Sequence, residues 1–152
     1  MGRLLAIDYG RKRCGIAATD LSRIVATGVA TIQTATLSDF LREYFSKESV
    51  DLVVIGEPKN MHGAPSESMR YIKPAVSRLQ KEFPEKTFIY FDERFTSTLA
   101  LRAMIDGGMR KSQRQEKGKA DVMAATIILN DFLESQTYRE IQQNITISEP
   151  IK

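Results

Sequence analysis

The sequence predicts an α/β fold built on one mixed five-stranded sheet. Two observations predict it. Three strand-like segments crowd the first third of the chain with only turn-length gaps between them, the pattern of an antiparallel meander. Two later apolar runs, Leu52–Ile55 and Thr87–Phe91, each follow a helix-period segment, so both should join the sheet parallel to the first strand through helical crossovers. With 152 residues, 42% of them hydrophobic, the chain suits a single domain with a substantial core.

The first three strands are Leu4–Asp8, Cys14–Thr19 and Gly28–Gln33. Leu4 to Ile7 is unbroken apolar sequence, which suits a central strand buried on both faces. A helix over Ser38–Lys47 follows, with Ser38 as candidate N-cap and Phe40, Leu41, Tyr44 and Phe45 on one face. Gly56-Glu57-Pro58 ends the fourth strand, because proline cannot continue a central ladder. In a second helix, Ser66–Phe83, Met69, Ile72, Val76, Leu79 and Phe83 form an inward stripe, and Pro74 should kink or restart it. The fifth strand runs into Asp92-Glu93-Arg94. A third helix over Thr96–Asp106 stops at Gly107-Gly108, and a fourth spans Lys119–Glu134. Residues 1–136 form the expected domain, and 137–152, polar and weakly patterned, a loosely held tail.

Composition excludes several classes. No apolar run approaches the roughly 20 residues that span a bilayer, and the N-terminus has no signal-peptide pattern. The single cysteine, Cys14, has no internal disulfide partner; it reads as a buried packing residue, and the cytoplasm is the expected compartment. Twenty-two basic against nineteen acidic residues give +3, which permits a polyanionic partner without requiring one.

The chemistry is in the acids. Asp8 ends an apolar strand, where a carboxylate is costly unless it meets a cation or donors, and Gly10 behind it permits a tight turn. Glu57, Asp92 and Glu93 also stand at strand C-terminal ends, the edge where ligands gather in such sheets. Asp92 and Glu93 are adjacent and point to opposite faces, so one of them reaches the site. Asp121 opens the fourth helix, spaced with Ala125, Ile128 and Phe132 so that it heads the stripe that docks on the sheet. Converging acids repel unless cations lie between them, and oxygen-only donors suit Mg²⁺ or Mn²⁺. Two such ions about 3.5–4 Å apart serve in-line attack of water on a phosphodiester. One cysteine and one histidine, His62, offer no zinc alternative.

The segment Leu5-Ala6-Ile7-Asp8-Tyr9-Gly10-Arg11-Lys12-Arg13-Cys14-Gly15-Ile16-Ala17 closely resembles the opening motif of the YqgF-type proteins, a family of RuvX-like Holliday junction resolvases and pre-16S ribosomal RNA nucleases. The resemblance continues through Ile55–Gly63, Asp92–Ser97 and Lys119–Leu129, four motifs in order between Arg3 and Leu133. It implies a ribonuclease-H-like fold with helices on both faces of the sheet and metal-dependent phosphodiester hydrolysis. It implies Asp8, Glu93 and Asp121 as catalytic metal ligands for two Mg²⁺ or Mn²⁺ ions. Glu57 stands where the family commonly has leucine and His62 where it has aspartate. RuvC-type resolvases place a catalytic glutamate at the end of this same strand, so Glu57 is the alternative middle ligand; His62 reads as a solvated loop residue.

Basic segments flank the acids. Arg11, Lys12 and Arg13 follow Asp8, while Arg110, Lys111, Arg114, Lys117 and Lys119 lead into Asp121. Together with Lys59, Asn60 and Arg94 they form a candidate nucleic-acid surface making sequence-independent phosphate contacts, with Arg110–Gly118 expected to order on substrate. The expected partner is structured RNA, in particular ribosomal precursor particles, or branched DNA, bound by a monomer or weak homodimer. Two other classes compete. Asp8-x-Gly10 also resembles the first phosphate loop of actin-like ATPases and sugar kinases, but the chain is too short for their duplicated domain and has no Gly-Lys-Ser/Thr loop. A non-catalytic ribosome-assembly factor would keep the fold, but the intact acid set argues against it.

Overall fold

A computed structural model describes residues 2–58, 67–92 and 117–148, the side chains of 117–120 and 143–148 excepted. The elements are β1 (Arg3–Tyr9), β2 (Arg13–Thr19), β3 (Ala26–Gln33), a 3-10 turn (Thr34–Thr36), α1 (Leu37–Lys47), β4 (Val50–Glu57), α2 (Met69–Glu82), β5 (Thr87–Asp92), α3 (Lys117–Leu133) and α4 (Gln136–Ser148). The sheet order is β3-β2-β1-β4-β5. β1 pairs antiparallel with β2 and parallel with β4, β2 antiparallel with β3, and β4 parallel with β5. This is the mixed sheet that the short early gaps and the later crossovers predict.

The core has two layers. Leu5, Ile7, Val53 and Ile55 pack with Leu37 and Leu41 of α1 and with Met69, Ile72, Val76 and Leu79 of α2. Leu4, Ala6, Leu52 and Val54 pack with Ala125, Ile128, Leu129 and Phe132 of α3 and Tyr138 of α4. Alternation along β1 and β4 thus feeds both faces. Cys14 is buried in the first layer, as expected; burial pushes its thiol up, against a hydrogen-bonding contact with Thr34.

Three expectations need correction. Ser38 is not the N-cap of α1: the 3-10 turn brings the helix in one residue earlier, after Thr36. Pro74 does not break α2, which runs continuously across it. It lies early in the helix on the solvent side, where the carbonyl that it leaves without a helical donor can be hydrated. The stretch from Thr137 does not begin as a loose tail. Ser135 Oγ accepts a bond from the Tyr138 N–H at 3.1 Å, an N-cap contact, and Tyr138 is buried beside Phe132. The Thr96–Asp106 helix falls outside the described residues.

Candidate active site

Asp8 continues the β1 alternation through Leu4 and Ala6, so its side chain lies on the α3 side of the sheet. It is only 7% exposed. Its cross-strand partner is Gly15, and directly opposed residues share a face. The place where a Gly15 side chain would stand is taken by the Asp121 backbone: a Cβ on Gly15 would overlap the Asp121 carbonyl. The helix that carries Asp121 therefore seats its backbone on the residue paired with Asp8, which brings positions 8 and 121, 113 apart in sequence (121 − 8), to the same part of the sheet. Gly28 repeats the device one strand outward, where a Cβ would overlap Val122.

Asp121 has a cationic neighbour. Arg13, the first residue of β2, donates Nε–H to Asp121 Oδ2 at 2.9 Å, with the two side chains 41% and 27% exposed. A pair this open adds little stability, but it orients the carboxylate. Asp121 does not open the helix as expected, because α3 begins at Lys117 and Asp121 is its fifth residue. The fields of both acids reach Cys14: after burial, the largest cause, Asp8 and Asp121 each push its thiol further up.

The acids of this sheet edge divide between its faces. Glu57 and Asp92 are register partners on β4 and β5. Glu57 continues Val53 and Ile55, and Asp92 continues Phe88 and Tyr90, all of which pack on the α1/α2 side. Tyr90 agrees: burial raises its phenol, and the Glu57 charge raises it further. Asp8 and Asp121 thus belong to the α3 side, and Glu57 and Asp92 stand on the other. Among the described residues, no three acidic, histidine or cysteine side chains form a metal-holding group. Glu93, Lys59, Asn60, His62, Arg94, Arg110, Lys111 and Arg114 lie outside those residues; Lys117 and Lys119 begin α3 without described side chains. Arg11 and Lys12 are exposed at the β1–β2 turn, with the Arg11 guanidinium 5.0 Å from the Tyr71 ring centre.

The Gly15 contact makes a direct prediction. Gly15→Ala must push α3 off β2, because backbone atoms cannot rotate away. A loss of about 1–3 kcal/mol of unfolding free energy is expected, measured by urea denaturation. A wild-type midpoint would mean that α3 does not seat there.

Comparison with known proteins agrees with the geometry. The family model "RuvX: Holliday junction resolvase" matches residues 2–135. A protein from Flavobacterium johnsoniae is 51% identical over 138 residues, covering 91% of this chain and 100% of its own length. One from Parabacteroides distasonis is 49% identical over 139 residues, covering 91% and 99%. Both carry the name "Putative pre-16S rRNA nuclease". The solved structure of YeaZ from Pseudomonas aeruginosa superposes with a TM-score of 0.41 at 18% identity, over 71% of this chain and 50% of that one. The mixed five-stranded sheet with helices on both faces is the ribonuclease-H-like architecture that the motif resemblance implied. With nearly its whole length matched by both the family model and full-length relatives, the chain belongs to the RuvX family.

Proposed function

We infer that the chain hydrolyses phosphodiester bonds in structured nucleic acid, with 5′-end processing of pre-16S ribosomal RNA in the cytoplasm as its role. One observation carries the reading: the Asp121 backbone packs on Gly15, the cross-strand partner of Asp8, so both acids belong to one side of the same sheet edge. Relatives named as pre-16S rRNA nucleases over their full length support the substrate. The family model's description favours four-way DNA junctions as the second reading.

The two carboxylates suit a hard divalent cation, since they offer only oxygen and one of them is nearly buried. Glu93 is the proposed third acid. The support is the motif Asp92-Glu93-Arg94, which directly follows the fifth strand. Glu57, on the opposite face, is left at the rim. Asp8, Glu93 and Asp121 would hold Mg²⁺ or Mn²⁺, which when bound would supply activation of water and neutralisation of phosphate charge. The chain itself orients the carboxylates, Asp121 through Arg13. Arg11, Lys12, Lys59, Asn60, Arg94, Arg110, Lys111, Arg114, Lys117 and Lys119 guide the phosphate backbone, in a monomer or weak homodimer.

The test is cleavage of structured RNA and four-way DNA junctions with Mg²⁺ or Mn²⁺, comparing Glu93→Gln with Glu57→Gln. Cleavage that needs the ion, is lost in Glu93→Gln and survives in Glu57→Gln is the expected pattern. The reverse pattern would move the third ligand to Glu57. Binding without cleavage across the whole panel would replace the nuclease by an assembly factor.

A further inference from the structure

The outer face of α2 carries bases that neither the motifs nor the site uses. Arg70, Lys73, Arg78 and Lys81 are all exposed, and none forms an ion pair among the described residues. On α1 the bases are neutralised: Arg42 pairs with Asp39 and with Glu82, and Lys47 with Glu43. Arg70, Lys73, Ser77 and Lys81 follow steps of three, four and four, so they form one stripe. At 1.5 Å per residue the stripe is about 16 Å long, the length over which one strand of a duplex presents about five phosphates at ~3.4 Å each. The acids flanking it are Glu67 before the helix, Glu82, already paired with Arg42, and Glu85 after it.

The stripe lies on the sheet face opposite Asp8 and Asp121, and its N-terminal end reaches the same sheet edge. Tyr71, in the first turn of α2, lies 6.1 Å from Tyr9, the residue after Asp8. Arg11 from the β1–β2 turn covers the Tyr71 ring. Arg78 opens into a cleft of about 280 Å³ that Tyr9, Thr34 and Ser38 also line. Hydroxyls and a guanidinium around such a cleft are phosphate-recognising groups.

We propose that α2 is a second nucleic-acid surface. Phosphates of the strand beyond the scissile bond pass Arg11 and Tyr71, one seats in the Arg78 cleft, and others run along Arg70, Lys73 and Lys81. The proposal rests on the nuclease reading and adds to it where the uncleaved part of a long, structured substrate lies.

The experiment measures binding of a fluorescent structured RNA to the full chain in EDTA, by anisotropy over a series of KCl concentrations. The variants are Arg70→Gln/Lys73→Gln/Lys81→Gln and, separately, Arg78→Gln. Each lost phosphate contact should flatten the log–log salt slope by about 0.7–0.9, so the triple variant should lose about 2–3 and bind about tenfold or more weakly. Lys47→Gln, which removes a paired base from α1, should leave the slope unchanged. Hydrolysis of bis(p-nitrophenyl) phosphate, too small to reach α2, should stay at the wild-type rate in the triple variant. If the wild type binds and cleaves but the triple variant keeps its slope, the α2 surface is overturned and the nuclease reading stands. If the wild type neither binds the RNA with salt dependence nor cleaves it, both fall.

Discussion

Phe132→Ala should lower the unfolding free energy by about 3–5 kcal/mol, enough to leave a domain of this size marginal. Phe132 is fully buried. Its ring stands edge-on to Phe91 of β5, with centroids 5.5 Å apart and planes at 84°, and lies 5.4 Å from Tyr138 of α4. Three elements therefore converge on one side chain, along with Ala6, Val54 and Leu129. No single helix can slide in to fill the space without giving up its contacts with the other two, so most of the cavity should persist. Urea unfolding at constant slope measures the loss. Phe40→Ala, a partly buried ring at the edge of the other layer, should cost clearly less. A Phe132→Ala loss below about 1.5 kcal/mol would show that α3 and α4 repack freely and that the second layer is not a fixed platform for Asp121.

The same ring shows where sequence reading stops. Strands, crossovers and the inward faces of α1, α2 and α3 are written locally, because each element carries its own period. Residues 137–148 are mostly polar, so their apolar positions make a weak stripe; among the described side chains Tyr138 and Ile141 join the second layer, held by a ring six positions upstream (138 − 132) and a serine cap. Ser135, three residues before Tyr138, was the signal that could have found this helix.

The site was legible to the same depth. Asp8 and Asp121 could be brought to one sheet edge from strand ends and helix spacing alone. Which face Glu57 takes could not be read. β4 is apolar from Leu52 to Ile55 on both sides, and a doubly buried strand has no polar alternation to label its faces. Only the register with β5 and the packing of Val53 and Ile55 place it opposite Asp8. Arg13 read as one of three bases in a turn. Its bond to Asp121 spans 108 positions, and no local pattern announces a contact of that range. The α2 bases were passed over for another reason: the apolar stripe of that helix drew the reading to its inner face, and the outer face is its complement.

Asp8→Asn should reduce metal-dependent cleavage about 100-fold or more while unfolding free energy stays within about 1 kcal/mol of wild type. The amide keeps the shape of the side chain and one acceptor oxygen but removes the charge that attracts a cation. Folding has little reason to suffer. The amide has nearly the same volume as the carboxylate, so packing around this nearly buried position is kept. Loss of activity without loss of stability separates a functional acid from a turn cap, whose removal would cost the fold instead. Asp121→Asn extends the argument. If the two carboxylates serve one ion, each single variant already loses what the pair supplies, and Asp8→Asn/Asp121→Asn should be scarcely slower than either. Two independent losses that multiply in the double variant would mean that the acids act apart, and the seating of α3 on Gly15 would then serve packing alone.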